Sequence, residues 1–474
     1  MDIQNNDLEK KDFINELLDK KIDEINTGNN VYETGMVISV KDFIIKVIGL
    51  EHVFFYEKIN INNKAEGYVT KIDKDSVTVA LLKENTKISI GDTVYRTNEE
   101  FTGKYSNYSV GRIIDIFGND KLSDKKFDDL VSLKIEEKNI PIMDRTSVSR
   151  PFLTGIAGID LMYPVGKGQR QLIIGDKKTG KTQICLDAIV NQKGKDVICI
   201  YVAIGKTKKE VKEIYYELAK KNALEYTIIL TAFNDEKPPV IALTPYFGLS
   251  IAMQFLSLEK DVFVVIDDLK RHADAYREIS LLSGKAPGRD AYPADIFYAH
   301  SRLLEKGCQH KNGGSITIMP IVETKGGDIT DYISTNIISI TDGQIVLSAK
   351  NFQKGQKPAI NYGLSVSRLG GAVQSNLIKS IGSSVRQKLL SYLETKDVYE
   401  MANIDEMSIE LQNKMREGKE ISDKLKQYKY SPLTEQEIYD RFKDITEKKE
   451  VEVNNDWYKR NSKNNELPFI IKSW

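Results

Sequence analysis

The feature that most constrains this chain is the segment 175–182, which reads Gly-Asp-Lys-Lys-Thr-Gly-Lys-Thr. Its spacing is that of a phosphate-binding loop, in which glycines let the backbone amides turn toward anionic oxygens. The apolar run 172–174 precedes the segment, and apolar residues at helical spacing follow it from Ile184 onward. The motif is meaningful in this context of a buried strand, a loop and a helix. The sequence therefore predicts an α/β domain that binds a nucleoside triphosphate.

The residues of this loop have distinct predicted contacts with the nucleotide. Lys181 is expected to reach the β- and γ-phosphates, and the hydroxyl of Thr182 to face Mg²⁺. The N-terminus of the following helix adds the positive end of its dipole. The predicted nucleotide-binding residues are Gly175, Asp176, Lys177, Lys178, Thr179, Gly180, Lys181, Thr182 and Gln183.

A second motif lies further along the chain, where the apolar run 262–266 ends in Asp267 and Asp268. A strand that ends in carboxylates has the form of a Walker B element, whose aspartate helps to hold Mg²⁺, often through water. We expect Asp267 to lie opposite Thr182 in a magnesium site, and Asp268 to cap the turn that follows.

Hydrolysis requires a group that orients and deprotonates a water molecule beside the γ-phosphate, usually a carboxylate. Such a group is expected at the end of the strand that follows the loop helix, and the residue after Gly205 at this point is Lys206. An ammonium with an ordinary pKa of about 10.4 does not act as a base near neutral pH. Two interpretations of Lys206 stay open, a phosphate contact and a solvated surface charge, and hydrolysis is a separate question from binding.

The whole chain divides into four predicted regions. Residues 1–30 carry a helical pattern that either packs on its own core or docks a partner. Short β-rich runs in 31–97 predict a small barrel or sandwich. Alternating strands and helices in 98–374 predict a parallel sheet covered by helices, and residues 375–474 are predicted to form a helical domain.

The predicted strands are apolar or β-branched runs between polar turns. In the barrel region they are residues 37–40, 43–47, 53–55, 67–69 and 77–81, with a last strand after Gly91-Asp92. In the nucleotide domain they are residues 171–174, 197–203, 226–230, 262–266, 316–321 and 337–340.

Composition excludes several classes of function. The chain has 68 basic and 68 acidic residues, so no net charge favours direct binding of nucleic acid. Its 3 cysteines and 4 histidines have no disulfide or metal-ligand spacing. We expect no signal peptide because the first residues are polar and acidic, and no transmembrane segment because no apolar stretch of about 18 residues is recognised. These features predict a soluble intracellular protein.

Several long segments match a known family without gaps. Residues 358–367 read Pro-Ala-Ile-Asn-Tyr-Gly-Leu-Ser-Val-Ser, and residues 286–298 read Ala-Pro-Gly-Arg-Asp-Ala-Tyr-Pro-Ala-Asp-Ile-Phe-Tyr. Shorter matching blocks are residues 164–166, 168–170, 201–205, 267–269, 300–305 and 339–345. Through nearly its whole length, the chain resembles the α subunits of the F-type ATP synthase family. This resemblance implies an N-terminal β-barrel, a central RecA-like α/β nucleotide domain with the phosphate loop, and a C-terminal α-helical domain.

The resemblance also implies how the site works. Catalytic β subunits carry Gly-Glu-Arg where this chain has Gly-Lys-Thr at 205–207, and typical α subunits have glutamine in the middle position. By resemblance, the site binds ATP or ADP with Mg²⁺ and turns over little. Arg368 matches the α-subunit arginine that reaches the catalytic site of the neighbouring β chain. An arginine in this loop could otherwise be an ordinary surface ion pair.

Phe352 matches an aromatic near the base pocket, and Gln427 matches one of two base-contacting glutamines. Lys429 replaces the second glutamine, which leaves base selectivity open. Lys357, which stands where arginine is common, joins the predicted nucleotide-binding residues.

The partners implied are catalytic β subunits in an alternating α3β3 ring, the γ rotor subunit, and a δ stator subunit contacted through the N-terminal helix. The complex would lie peripherally on the cytoplasmic face of a bacterial membrane. Two alternatives stay open: an α-like subunit of a specialised F1-like ATPase without a proton channel, and a self-sufficient hexameric ATPase motor.

Overall fold

The computed structural model describes residues 33–123, 127–398 and 408–445. The predicted N-terminal helix and the chain after residue 445 lie outside these ranges. Within them, the predicted order of a small barrel, an α/β domain and a helical segment is confirmed.

The first part is a closed barrel of six antiparallel strands in the order β1-β2-β5-β4-β3-β6. Its strands are β1 (Thr34–Lys41), β2 (Ile44–Ile48), β3 (Glu57–Ile61), β4 (Ala65–Ile72), β5 (Val77–Glu84) and β6 (Thr93–Glu100). Alternate residues of β3 point into the barrel, as expected for a strand with one buried face. The strand predicted over residues 53–55 is wrong. Residues 53 and 54 are irregular, and a turn follows at residues 55–56, where the φ of 65° at Tyr56 breaks the extended backbone.

The second part is built on a parallel sheet, with neighbouring strands in the order β19-β13-β18-β16-β14-β15-β8 and the antiparallel strand β20 beside β19. These strands are β8 (Ile113–Ile114), β13 (Leu172–Asp176), β14 (Val197–Lys206), β15 (Thr227–Phe233), β16 (Asp261–Asp267), β18 (Ser315–Thr324), β19 (Gly343–Leu347) and β20 (Val366–Ser367). Short strands outside this row are β7 (Thr102–Tyr105), β9 (Val131–Lys134), β10 (Arg145–Thr146), β11 (Pro151–Phe152), β12 (Val165–Gly166) and β17 (Cys308–His310).

Helices connect the strands of this domain and cover the sheet. They are α1 (Ala157–Met162), α2 (Lys181–Val190), α3 (Lys208–Lys220), α4 (Pro238–Ser257), α5 (Leu269–Leu282), α6 (Ile296–Leu304), α7 (Tyr332–Ile340) and α8 (Ala349–Gln353). The strand predicted over residues 337–340 is wrong because that run is the end of α7. Ile333, Ile337 and Ile340 recur at helical spacing and are buried, and the strand begins only at Gly343.

Helix α4 corrects the expectation that the chain has no apolar stretch of about 18 residues. By length and composition alone this 20-residue helix could cross a membrane, and it is the one such helix in the described ranges. In the fold, 72% of its apolar window is buried, and the helix packs against β14, β15 and β16. Proline, threonine and tyrosine interrupt the apolar run, so a continuous apolar stretch is not recognised from the sequence.

The third part begins with the long helix α9 (Asn376–Val398), followed by α10 (Ile409–Lys424) and a helical segment over residues 435–445. Ile381, Val385 and Leu389 form the buried stripe of α9. Helix α10 approaches α9 closely at Gly418, where an added Cβ would lie 2.1 Å from the side chain of Tyr392 on α9. Glycine is therefore needed at this helix crossing.

Candidate functional site

The loop between β13 and α2 has the backbone that its sequence predicts. Gly180 has a φ of 100°, a left-handed conformation that favours glycine, and α2 begins at the next residue. Gly175 has a different requirement, since a Cβ there would lie 2.7 Å from the carbonyl oxygen of Leu347 on β19. The two glycines thus serve different purposes, one in the turn and one in strand packing.

The side chain of Lys181 is folded onto its own loop. Its Nζ donates to the backbone oxygen of Asp176 at 2.7 Å, and burial lowers the pKa of its ammonium. The carboxylate of Asp176 accepts from the Thr324 hydroxyl at 2.7 Å and from the Gly327 amide at 2.8 Å. The Asp176 side chain therefore fixes the loop to the end of β18.

The other predicted loop residues differ in their surroundings. The side chains of Lys177 and Lys178 are exposed, whereas Thr179 is buried and its hydroxyl donates to the backbone oxygen of Asp176 at 2.7 Å. The Gln183 amide donates to Asp187 one turn further along α2, at 2.8 Å. The predicted contacts of these residues with a nucleotide stay predictions.

Asp267, at the end of β16, is the most heavily contacted carboxylate of the site. Its Oδ2 accepts from the Thr182 hydroxyl at 2.6 Å and from the Tyr201 hydroxyl at 2.5 Å. Its Oδ1 lies 3.1 Å from the Nζ of Lys206. The motifs predicted the proximity of Thr182 and Asp267. They did not reveal Tyr201, whose only signal is a phenol within an aliphatic strand.

Lys206 is not a solvated surface charge, so that interpretation is wrong. Its side chain is only 18% exposed, and it pairs with Asp267. Burial opposes the charged ammonium, but the hydrogen bond and charge of Asp267, together with the charges of Asp268 and Glu210, outweigh burial and raise the pKa of Lys206. The pairing follows from strand register, because Ala203 of β14 lies opposite Asp267 of β16.

Asp268 has the capping role predicted for it. Its carboxylate accepts from the backbone amide of Arg271 at 2.8 Å, at the N-terminus of α5. Burial, with the neighbouring charge of Asp267 as a second cause, raises the pKa of Asp268 to about 6. Its carboxylate is thus turned toward a helix end.

The oxygen donors at this point fit a magnesium ion that arrives with a nucleotide. A hydroxyl and a carboxylate, on Thr182 and Asp267, adjoin the phosphate loop. Mg²⁺ in such sites takes few protein ligands and keeps water and phosphate oxygens as the others. In the described ranges, no group of three or more His, Cys, Asp or Glu side chains is arranged to hold a metal ion without a nucleotide.

The residues predicted near the nucleotide base lie close to one another, but their side chains differ in the contacts they already make within the chain. The Nζ of Lys357 lies 5.3 Å from the ring centroid of Phe352, and the backbone amide of Gln427 donates to the Lys357 carbonyl at 2.8 Å. The Nζ of Lys429 lies 5.7 Å from the neighbouring Tyr430 ring.

The side chain of Gln427 is occupied by backbone groups. Its Oε1 accepts from the Ala157 amide at 3.2 Å, and its Nε2 donates to the carbonyls of Gly155 at 2.7 Å and Ser431 at 2.8 Å. Both ends of the amide are therefore engaged, a feature that the sequence did not reveal.

Arg368 lies immediately after β20, at the edge of the sheet, and its side chain is exposed. Its Nη2 donates to the backbone oxygen of Ile338 at 3.3 Å. Within the described ranges, no carboxylate forms an ion pair with its guanidinium. The structure thus places this residue on the surface, apart from the cluster around Asp267.

Comparison with known proteins identifies the family. Residues 155–367 match the family "ATP synthase alpha/beta family, nucleotide-binding domain". The chain is 41% identical over 433 residues to ATP synthase subunit alpha of Lactiplantibacillus plantarum, covering 90% of this chain and 85% of that protein. It is 41% identical over 437 residues to the Clostridium botulinum subunit, covering 90% and 86%.

The ATP synthase subunit alpha of Ureaplasma parvum is 42% identical over 365 residues. This match covers 76% of the chain but only 46% of the Ureaplasma protein, so the chain spans less than half of that relative. The matches to the first two relatives extend over most of both proteins and include the phosphate loop. The chain therefore belongs to the ATP synthase α-subunit family.

Proposed function

We propose that this chain is the α-type subunit of an F1 ATPase, that it holds ATP or ADP with Mg²⁺ at a site of very low turnover, and that it supplies Arg368 to a neighbouring catalytic β subunit. The observation that carries the proposal is the ion pair between Lys206 and Asp267. It puts an ammonium where the catalytic members of the family have a carboxylate base.

Binding of the nucleotide would use groups that the loop already positions. Lys181 exchanges its contact with the Asp176 carbonyl for the β- and γ-phosphates, and the first amides of α2 face the same oxygens. Thr182 and Asp267 would hold Mg²⁺. When bound, Mg²⁺ supplies positive charge to the phosphate oxygens.

The low turnover follows from the state of the two carboxylates at the end of β16. Asp267 is contacted by Thr182, Tyr201 and Lys206, and Asp268 caps α5. A carboxylate engaged in this way is a poor base for an attacking water molecule. The site therefore retains its nucleotide without efficient hydrolysis.

Arg368 has the properties of a residue that acts on another chain. It is exposed, and its one side-chain hydrogen bond in the described ranges is to a backbone oxygen. An arginine supplied in trans stabilises the charge that develops on the transferred phosphoryl group. The expected partners are β subunits alternating with this chain and a central γ subunit, in a complex peripheral to the membrane.

Coexpression with the β-type subunit of the same organism tests this proposal. We expect a ring with equal numbers of the two chains, whose ATP turnover greatly exceeds that of either chain alone. A homo-oligomer of this chain with turnover equal to that of the mixture would contradict the proposal. Ring stoichiometry by native mass spectrometry and steady-state ATPase rates give the two readouts.

A further inference from the structure

Lys206 occupies a specific place in the site, against the carboxylate that is expected to serve the nucleotide's metal ion. Its Nζ lies 3.1 Å from Oδ1 of Asp267, while Oδ2 of the same carboxylate takes the hydroxyls of Thr182 and Tyr201. All of these donors belong to this chain. The negative charge of Asp267 is therefore balanced before any metal ion binds.

The position of Lys206 is fixed by the sheet. Strand β14 pairs with β16 on one side and with β15 on the other, and Lys206 itself pairs with Phe233 of β15. Its side chain is mostly buried, and it is close enough to Lys181 for the two ammonium groups to interact electrostatically. The site therefore presents two ammonium groups, one on α2 and one at the end of β14.

This arrangement changes the electrostatics of nucleotide binding. In a phosphate-loop site without a metal ion, the aspartate at the end of the second strand repels the triphosphate, and Mg²⁺ normally offsets that repulsion. An ammonium paired with the aspartate offsets the same repulsion by itself. The neutral glutamine typical of α subunits at this position does not offset it.

We propose that Lys206 is a built-in counter-ion that makes the affinity of this site for ATP nearly independent of Mg²⁺. This inference rests on the proposed function of the loop as a nucleotide site. It assigns the site a ligand class that includes both the metal-free nucleoside triphosphate and its magnesium complex.

The test is equilibrium binding of ATP to the full-length chain, freed of nucleotide, in excess Mg²⁺ and in excess EDTA. We expect the Kd of the unmodified chain to differ by less than about threefold between the two conditions. Lys206→Gln removes the charge and should weaken binding in EDTA by about tenfold or more, while binding in Mg²⁺ changes little. Lys206→Arg keeps the charge and should behave like the unmodified chain.

Two further variants serve as controls. Lys209→Gln removes an exposed charge whose partner is Glu213, and should leave both affinities unchanged. Lys181→Ala should lose affinity in both conditions, because it acts on the phosphates directly.

The outcomes separate the inference from the function on which it rests. A loss of more than about thirtyfold in EDTA for the unmodified chain would overturn the inference, with ATP binding in Mg²⁺ still intact. The same conclusion follows if Lys206→Gln matches the unmodified chain in both conditions. Absence of ATP binding by the unmodified chain even in Mg²⁺ would instead overturn the proposed function. The comparison of Mg²⁺ with EDTA requires no variant, so it stands even if Lys206→Gln does not fold.

Discussion

Two basic residues of this chain, Lys206 and Arg368, show how differently a positive charge is used in two regions of one domain. Lys206 lies at the end of an inner strand, mostly buried and paired with Asp267. Arg368 lies at the sheet edge, exposed, with its guanidinium donating to the backbone oxygen of Ile338. The first charge is neutralised within the chain, whereas the second is available to an anionic group outside it.

This difference explains both halves of the proposed function. A buried ammonium at the carboxylate of a nucleotide site removes the base that hydrolysis would require. An exposed guanidinium without a carboxylate partner in the described ranges is suited to contact phosphate on a neighbour. Whether a charge acts in cis or in trans is thus decided by the partners that the fold provides.

Arg368→Ala is expected to have the largest effect. In the assembled complex, ATP turnover should fall by about 10³–10⁵-fold, because the charge that develops on the transferred phosphoryl group loses the arginine that stabilises it. Nucleotide bound to this chain should be unchanged, as measured by filter binding on the same preparation. Arg368→Lys keeps the charge but loses the planar guanidinium group, so its ATP turnover should lie between those of the unmodified complex and the alanine variant. Turnover within about tenfold of normal for the alanine variant, in intact rings, would contradict the role in trans.

Lys181→Ala is expected to weaken ATP binding to this chain by at least about 100-fold, because a charged contact to phosphate is lost. Hydrolysis by the complex should remain substantial, since the proposed function assigns catalysis to the β-type chains. The measurement pairs calorimetric affinity for the chain with turnover of the complex. Lys177→Ala, an exposed position of the same loop, is the matched control. If turnover is lost while rings still form, this site is catalytic or obligatorily coupled.

Asp160 extends the comparison to a negative charge. In the described ranges, no ion pair joins its carboxylate to a cation. It is buried, and it accepts from the Thr154 amide and hydroxyl and from the Gly155 amide, at 2.7–3.0 Å. Burial raises the pKa of Asp160 from 3.8 to about 6.

Because the folded-state pKa of Asp160 lies above its unfolded value, its contribution to stability is fully present below pH 3.8 and is lost as the pH rises through about 6. Between pH 4 and pH 8, we expect the unmodified chain to lose roughly 2 kcal/mol of unfolding free energy relative to the Asp160→Asn variant. Urea denaturation of both proteins at several pH values measures this loss. A difference that does not vary with pH would show that folding does not raise the pKa of Asp160.

Gln427→Ala is expected to have the smallest effect of these variants, and to act on stability and not on the choice between ATP and GTP. The variant loses hydrogen bonds to the backbone of residues 155, 157 and 431, so the free energy of unfolding should fall by about 1–2 kcal/mol. The ratio of ATP to GTP affinity should change by less than about threefold. Gln436→Ala, which loses one exposed hydrogen bond to Asp440, is the control. A large change in the affinity ratio without loss of stability would assign Gln427 to the base pocket.

The local motifs of the site could be predicted from sequence, because their spacing is set by short segments. The phosphate loop, the carboxylate at Asp267 and the cap at Asp268 each depend on a strand or helix end and its immediate neighbours. The three-part fold was predictable for the same reason, since the change from strand-like to alternating patterns is visible along the chain.

The remaining features depend on contacts between distant segments. The partner of Lys206 is set by the pairing of β14 with β16, which no pattern in either strand specifies. The run 337–340 is mostly β-branched, and by itself it resembles a strand; the helical spacing becomes visible only when Ile333 of the same helix is included. Likewise, the engagement of Gln427 with Gly155 required the C-terminal segment to be placed against α1.

The most direct test of the account is to measure the purified chain alone for bound nucleotide and for steady-state ATP turnover. We predict about one ATP or ADP per chain and turnover far below the ordinary enzyme range of about 1 s⁻¹ or more. Turnover of about 1 s⁻¹ would contradict the account. Glu323, which lies opposite Gly175 and interacts with Lys181, would then be the first candidate for the missing base. Loss of that activity in Glu323→Gln would assign hydrolysis to this chain's own site.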